Sequence, residues 1–261
     1  MTDPVAAVRD LHVTFRRGGR DVHAVRGVSF DVLPGEIVGL VGESGSGKSV
    51  LGLSMLGLLP GDPAPRVTGR AEICGVDMVS ATTEQRRVAR RDHLGAVFQD
   101  PMTSLNPTMK VGRQIVEAAG SKEEALRLLD AVGVPEVARR YQQYPHELSG
   151  GLRQRVMIAL AIAGNPKLVI ADEPTTALDV TVQAQILTLL RQLADEIGCA
   201  FVFVTHDLGV ASQLADHIAV MYGGRIAETG ESEAVLQRPA HPYTVGPVSY
   251  THLTLPTTER V

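Results

Sequence analysis

Gly42, Gly47, Lys48 and Ser49 stand at the spacing G-x-x-x-x-G-K-[ST], inside the stretch Val38-Gly-Leu-Val-Gly-Glu-Ser-Gly-Ser-Gly-Lys-Ser-Val50. These residue types at this spacing bind phosphate. Glycines let the backbone curl until several N–H groups face one anion. A helix starting near Gly47 adds its N-terminal dipole and unpaired donors. Lys48 brings a full positive charge to the outer phosphates, and the Ser49 hydroxyl can bind Mg²⁺. The apolar strand before the glycines and the helix after them separate the motif from a flexible Gly/Ser loop. We assign nucleotide binding to Gly42, Glu43, Ser44, Gly45, Ser46, Gly47, Lys48, Ser49 and Val50.

A second set of residues faces the same chemistry. Leu168-Val-Ile-Ala171 is an uninterrupted apolar run, as expected of a parallel strand covered on both faces, and it ends in Asp172-Glu173. Acids at the end of a buried strand are not there for stability. Ligands in such sheets bind at the strands' C-terminal ends. Asp172 can hold Mg²⁺, directly or through water, and Glu173 can polarise an attacking water. Ala200-Phe-Val-Phe-Val204 runs into Thr205-His206-Asp207 and carries His206 to the same edge. His206 could simply cap a helix; its place favours a functional role. Ser149-Gly-Gly151 precedes a helix and forms a second potential anion site at a helix N-terminus. By itself it could be only a good N-cap; a phosphate loop in the same chain makes the anion reading the stronger one.

The elements that position these residues follow from periodicity. Residues 5 to about 35 are expected to be β structure, with alternation in Val28-Ser-Phe-Asp-Val32 and a turn at Arg17-Gly-Gly-Arg20. Phe15 just before that turn has two readings of equal weight: an edge-strand core residue, or an aromatic platform for a nucleotide base. Pro60-Gly-Asp-Pro-Ala-Pro65 is expected to end the helix that follows the phosphate loop. A short β segment is expected around Arg70 to Val76. Arg86, Arg87, Arg90 and Arg91 share one helical face, which reads as a solvated surface rather than an anion site. Gly95-Ala-Val-Phe-Gln99 is a short buried strand ending in a polar residue. Glu123 to Val132 is an amphipathic helix stopped by Gly133. The helix after Ser149 is expected to bury Leu152, Val156, Ala159, Leu160 and Ala163. Thr181 to Ile197 is a further helix, and Ile218 to Glu228 a hairpin turning at Gly223-Gly224.

The whole chain sets bounds on these readings. Its 261 residues, 44% of them hydrophobic, suit one large globular domain or two small ones. The longest apolar run, Val50 to Leu59, is broken by Gly52, Ser54 and Gly57, and the start, Met1-Thr-Asp-Pro, lacks a basic, apolar signal. A soluble, cytoplasmic protein is expected. Cys74 and Cys199 lack CxxC neighbours and read as small core residues. A net charge of −4 argues against general nucleic-acid binding.

Together these residues resemble the ATP-binding subunits of ABC transporters. Gly42 to Ser49 is similar to Walker A, Gln99 to the Q-loop, and Leu148 to Gln154 to the signature. Leu168 to Glu173 resembles Walker B, Ala177-Leu-Asp179 the D-loop, and His206 the switch histidine. Leu152 stands where many members have Met or Gln, a conservative departure. Val97 to Pro107, Ala171 to Gln185 and His241-Pro-Tyr-Thr244 resemble the oligopeptide/dipeptide importer branch, whose members also carry nickel and other small solutes.

The resemblance implies an α/β fold: a P-loop NTPase core with a mostly parallel sheet, an N-terminal antiparallel β subdomain and an inserted α-helical subdomain at roughly 100–165, the cassette spanning 1–246. It implies ATP and Mg²⁺, with Glu173 as general base, His206 as a γ-phosphate contact, and Gln99 as Mg²⁺ ligand and sensor beside Ser49 and Asp172. Ser149, Gly150, Gly151 and Gln154 would act on a partner's ATP, and Asp179 would lie at the subunit boundary. The implied partners are a second ATP-binding subunit, identical or homologous, two membrane-spanning permease subunits and, indirectly, an extracytoplasmic solute-binding protein. The implied place is the cytoplasmic face of the membrane.

From Val248 the chain departs from the branch pattern. Gly246-Pro247 stops any helix, and the string after it reads like a translated sequencing adapter, so residues 247–261 are expected to be non-native. A soluble ABC-type ATPase acting on DNA or ribosomes is the competing class. The interval between Walker A and the signature shows no sustained heptads, and the chain has one Walker A, which favours transport.

Overall fold

The computed structural model describes residues 3–100, 104–176 and 178–246. The expected non-native tail and Ala177 of the D-loop lie outside the described residues. Apolar alternation along Ala6–Arg17 (β1) and Arg20–Val32 (β2) folds the two strands into an antiparallel pair across the Gly18-Gly19 turn. Arg66–Ile73 (β4) pairs with β1 and Val76–Asp77 (β5) with β4, giving a four-stranded antiparallel sheet. The second sheet has six strands. Its members are Ile37–Val41 (β3), Leu94–Val97 (β6), Leu168–Asp172 (β7), Ala200–Thr205 (β8), His217–Tyr222 (β9) and Arg225–Glu231 (β10). The order is β10-β9-β3-β8-β7-β6, and every neighbouring pair except β9–β10 is parallel. The mostly parallel core and the antiparallel N-terminal sheet are therefore as expected.

The period-2 geometry of the parallel strands feeds two cores. Val38, Leu40, Ile170, Val202 and Val204 pack with the antiparallel sheet and the helix Lys48–Leu56 (α1). Ile37, Val41, Val169, Phe201 and Phe203 pack on the other side, against helices. Covered on both faces, the sheet offers ligands only its ends. The helix Thr83–His93 (α2) follows β5. Between β6 and β7 the described residues form helices only: Val111–Ala119 (α3), Lys122–Ala131 (α4), Val137–Arg140 (α5), a 3-10 turn at Pro145–Glu147, and Gly150–Ile162 (α6). The helices Val180–Ile197 (α7), Leu208–Ser212 (α8) and Ser232–Gln237 (α9) complete the order.

Four expectations need correction. α1 ends at Leu56 rather than at the prolines, because Gly57 adopts φ 63° and caps it. The four arginines of α2 split: Arg87 and Arg91 pair with Glu84 and Asp92 at the surface, whereas Arg86 and Arg90 donate to the carbonyls of Val79 and Leu56. α6 buries more than the stripe expected. Gln154, Met157, Ile158, Ala161 and Ile162 are buried with Val156 and Ala159, and Leu152, Leu160 and Ala163 are only half-buried, because α3, α4 and β6 all pack on this helix. Cys199 is a core residue, its thiol pushed up to about 12 by burial. Cys74 is not; it sits half-buried in the β4–β5 turn at φ 48°.

Candidate active site

β3 is buried along its whole length and delivers the chain into the phosphate loop at the sheet's C-terminal edge. Two glycines there are sterically required. A Cβ on Gly42 would lie 2.2 Å from the Met221 carbonyl, and one on Gly47 2.3 Å from the Ala24 carbonyl. Gly47 also holds φ 105° and caps α1 without any side-chain hydrogen bond. The first-turn N–H donors of α1 therefore have no side-chain cap, as an anion site requires. Lys48 is 4% exposed, and its amine donates to the carbonyls of Gly42 (2.6 Å) and Glu43 (2.9 Å). Its third proton remains for an incoming anion. Burial lowers the Lys48 pKa, partly offset by the charges of Glu173 and Asp172.

Facing the lysine are the acids at the end of β7. The Ser49 hydroxyl donates to Asp172 Oδ1 at 3.2 Å. Burial raises the Asp172 carboxyl above its ordinary range, and Glu173 adds to this, while the Ser49 bond and Lys48 oppose it. Glu173 stands at φ 48°, its N–H held by the Val204 carbonyl of β8 at 2.9 Å. A non-glycine residue in that region costs about 1 kcal/mol or more, and such costs cluster at functional sites. Its carboxylate is clasped on both oxygens. Gln99 Nε2 (3.2 Å) and Thr176 Oγ1 (2.8 Å) donate to Oε2, and His206 Nδ1 lies 3.3 Å from Oε1.

These groups surround one cleft of about 580 Å³, lined by loop residues Glu43 to Gly45 and Gly47 to Val50 together with Gln99, Glu173, His206 and Ala24. The structure thus brings together the residues read as catalytic and most of those read as nucleotide-binding. Gly42 and Ser46 lie buried behind the loop. Ser49 and Asp172 fit a hard divalent cation. They offer oxygens, one of them anionic, and among the described residues no group of three or more His, Cys, Asp or Glu forms a closed metal cage. A cation that draws most of its ligands from phosphate and water suits such a pair.

Other predicted residues lie elsewhere. Phe15 is half-buried and lines an adjoining cavity of about 450 Å³ with Arg16, Val22 and Pro60, which shares Ala24 and Val50 with the cleft. Ser149, Gly150 and Gly151 do not line the cleft of their own chain. Ser149 caps α6, accepting from the Leu152 N–H at 3.4 Å. Gln154 is 2% exposed, so its side chain faces the interior in this structure. Asp179 caps α7 through the Val182 N–H at 2.9 Å, and a Cβ on Gly151 would lie 2.9 Å from Val182, so the α6 and α7 N-termini adjoin. Sequence reasoning missed Thr176. Its one signal was a hydroxyl three residues past an acid in a turn.

Parallel strands ending on an uncapped glycine loop, a buried lysine and a clasped glutamate define a phosphate-loop nucleotide hydrolase. The chain belongs to the ABC transporter family, whose sequence model matches residues 25–176. It is an ATP-binding cassette, and its reaction is ATP hydrolysis. It is 49% identical over 248 residues to the oligopeptide transport ATP-binding protein OppD of Bacillus subtilis, covering 92% of this chain and 69% of that protein. It is 50% identical over 252 residues to the peptidoglycan transport ATP-binding protein YejF of Agrobacterium fabrum, covering 93% of this chain and 46% of that protein. Among solved structures it is similar to the dimeric ATP-binding cassette MJ0796 bound to ADP and Pi, with a TM-score of 0.77 at 28% identity, covering 87% of this chain and 98% of that one.

Proposed function

We propose that this chain is the ATP-hydrolysing subunit of an importer of di- or oligopeptides, held at the cytoplasmic face of the membrane by permease subunits. The observation that carries the catalytic part is the clasp on Glu173 at the mouth of the phosphate-loop cleft. Glu173 takes a proton from the water whose oxygen attacks the γ-phosphorus, while the bond from γ-phosphorus to the bridging oxygen breaks and ADP leaves with that oxygen. Lys48 and the α1 donors hold the outer phosphates. His206, whose Nδ1 lies 3.3 Å from Oε1 of the base, contacts the γ-phosphate. Ser49, Asp172 and Gln99 would hold Mg²⁺, which when bound neutralises charge on the β- and γ-phosphates. Phe15, lining the adjoining cavity that shares Ala24 and Val50 with the cleft, would be the platform for the base.

The second half of the mechanism needs a second cassette. Ser149, Gly150 and Gly151 offer a helix N-terminus to the partner's ATP, with Asp179 at the boundary; Gln154, buried here, would have to turn outward to join them. Two positive helix ends repel until a triphosphate lies between them, so ATP closes the pair and hydrolysis opens it. The segment after Gln99 up to Leu148, within the helical insertion at roughly 100–165 of a 1–246 cassette, supplies the dock for the permease subunits. A solute-binding protein outside the membrane acts only through them.

The peptide substrate rests on the name of the OppD relative. A second reading, peptidoglycan fragments, is favoured by the similarity to YejF. Uptake of a labelled tripeptide by cells carrying Lys48→Ala in this chain tests the choice. Loss of tripeptide uptake supports the proposal. Unchanged tripeptide uptake with loss of muropeptide uptake moves the substrate to the second reading.

A further inference from the structure

A residue 200 positions downstream reaches into the phosphate loop: the Glu43 N–H donates to the Tyr243 hydroxyl at 2.9 Å. The mount of that hydroxyl is built. The Tyr243 ring tilts over Tyr222 at 4.6 Å between centroids, and Tyr222 is the last residue of β9. Glu228 of β10 accepts from the N–H groups of Ala240 (2.8 Å) and His241 (3.0 Å). His241 Nδ1 then accepts from the Tyr243 N–H at 3.1 Å, and Thr244 is 0% exposed. The same hairpin braces the loop a second time, where Gly224 N–H donates to the Ser46 carbonyl at 2.9 Å.

The Glu43 N–H belongs to the same planar peptide as the Gly42 carbonyl, and in a trans peptide the two point in opposite directions. Tying the N–H to Tyr243 aims the carbonyl the other way, and there it receives the Lys48 amine at 2.6 Å. We propose that Tyr243 is a positioning residue of the nucleotide site: its hydroxyl fixes the 42–43 peptide, which in turn holds Lys48 where the outer phosphates bind. The segment 240–244 is therefore part of the ATP site although it touches no ATP. Burial raises the Tyr243 pKa, so the hydroxyl is neutral at physiological pH, with a lone pair for Glu43. The proposal rests on the ATPase reading of this cleft.

Tyr243→Phe keeps the ring and removes only the hydroxyl. The full chain and its variant are compared by Mg-ATP affinity, steady-state kinetics and exchange of the Glu43 amide without nucleotide. The proposal expects Kd and KM to rise about two- to tenfold, the net worth of one hydrogen bond, with kcat within about twofold. It expects the Glu43 amide to exchange faster. Val235→Ala, a cavity in the neighbouring helix α9, serves as a stability control and should lower Tm while leaving Kd alone. An unchanged Kd in Tyr243→Phe overturns the proposal. So does an equal loss of affinity in Val235→Ala, which would trace the effect to general loosening. If the unmutated chain binds no Mg-ATP, the ATPase reading falls and takes the proposal with it.

Discussion

Two helix N-termini in this molecule look alike in composition and are built differently. α1 begins at Gly47, which offers no side-chain cap, and it is met by Lys48, Ser49, Glu173 and His206 within one cleft, with Asp172 bonded to Ser49. α6 begins after Ser149, whose hydroxyl caps it by accepting from the Leu152 N–H over a long 3.4 Å, and its glycines lie outside that cleft. The first terminus is assembled inside the chain. The second is, on the proposed reading, a half-site in which the Leu152 N–H would exchange its long bond to the Ser149 hydroxyl for an anionic acceptor. On the proposed function, the same dipole physics serves as a reaction chamber in one place and as a clamp in the other.

The sharpest way to break this division is to remove the base. Glu173→Gln should cut turnover by about 10²-fold or more while ATP still binds, since the loop and Lys48 are untouched. Comparable turnover would place the reaction elsewhere. Ser149→Ala should leave the affinity of the single chain for ATP unchanged and lower turnover of the assembled transporter about tenfold, the worth of a hydrogen bond to a charged group. A loss of single-chain affinity would erase the distinction between the two termini. Thr176→Val, which frees one side of the Glu173 clasp, should lower kcat about threefold to tenfold with Kd unmoved.

The smallest effect concerns stability. The Asp172 carboxyl is raised in the folded chain, so its ionised form opposes folding. That penalty is absent below the ordinary carboxylate range, grows as pH rises, and is complete above the raised value. Asp172→Asn should therefore raise the Tm of the nucleotide-free chain at pH 7, by about 2–4 °C per kcal/mol relieved, and the gain should vanish in acid. A Tm lowered at pH 7 would mean that the buried charge is better solvated than its surroundings imply.

The same contrast separates what the sequence could reveal from what it could not. The phosphate loop, the acids after β7 and the strand carrying His206 were legible because each is a local pattern: a fixed glycine spacing, or an apolar run ending in charge. α1's true end was hidden by the prolines that follow Gly57, since a glycine cap and a proline stop compete for the same few residues. The burial of Gln154 escaped because α6 is packed on three sides and a single-stripe pattern no longer applies. Thr176 and Tyr243 act through contacts set by a turn and by the closing hairpin, and no periodicity encodes a bond between residues 43 and 243.

The central claim is that the two termini become halves of one site only when ATP lies between them. Sedimentation of the Glu173→Gln chain with the second cassette of its transporter tests it directly. The account predicts that Mg-ATP drives association into a pair and that Ser149→Arg in both cassettes' signature position abolishes it. Saturable ATP binding without association, or association indifferent to Ser149, would contradict it.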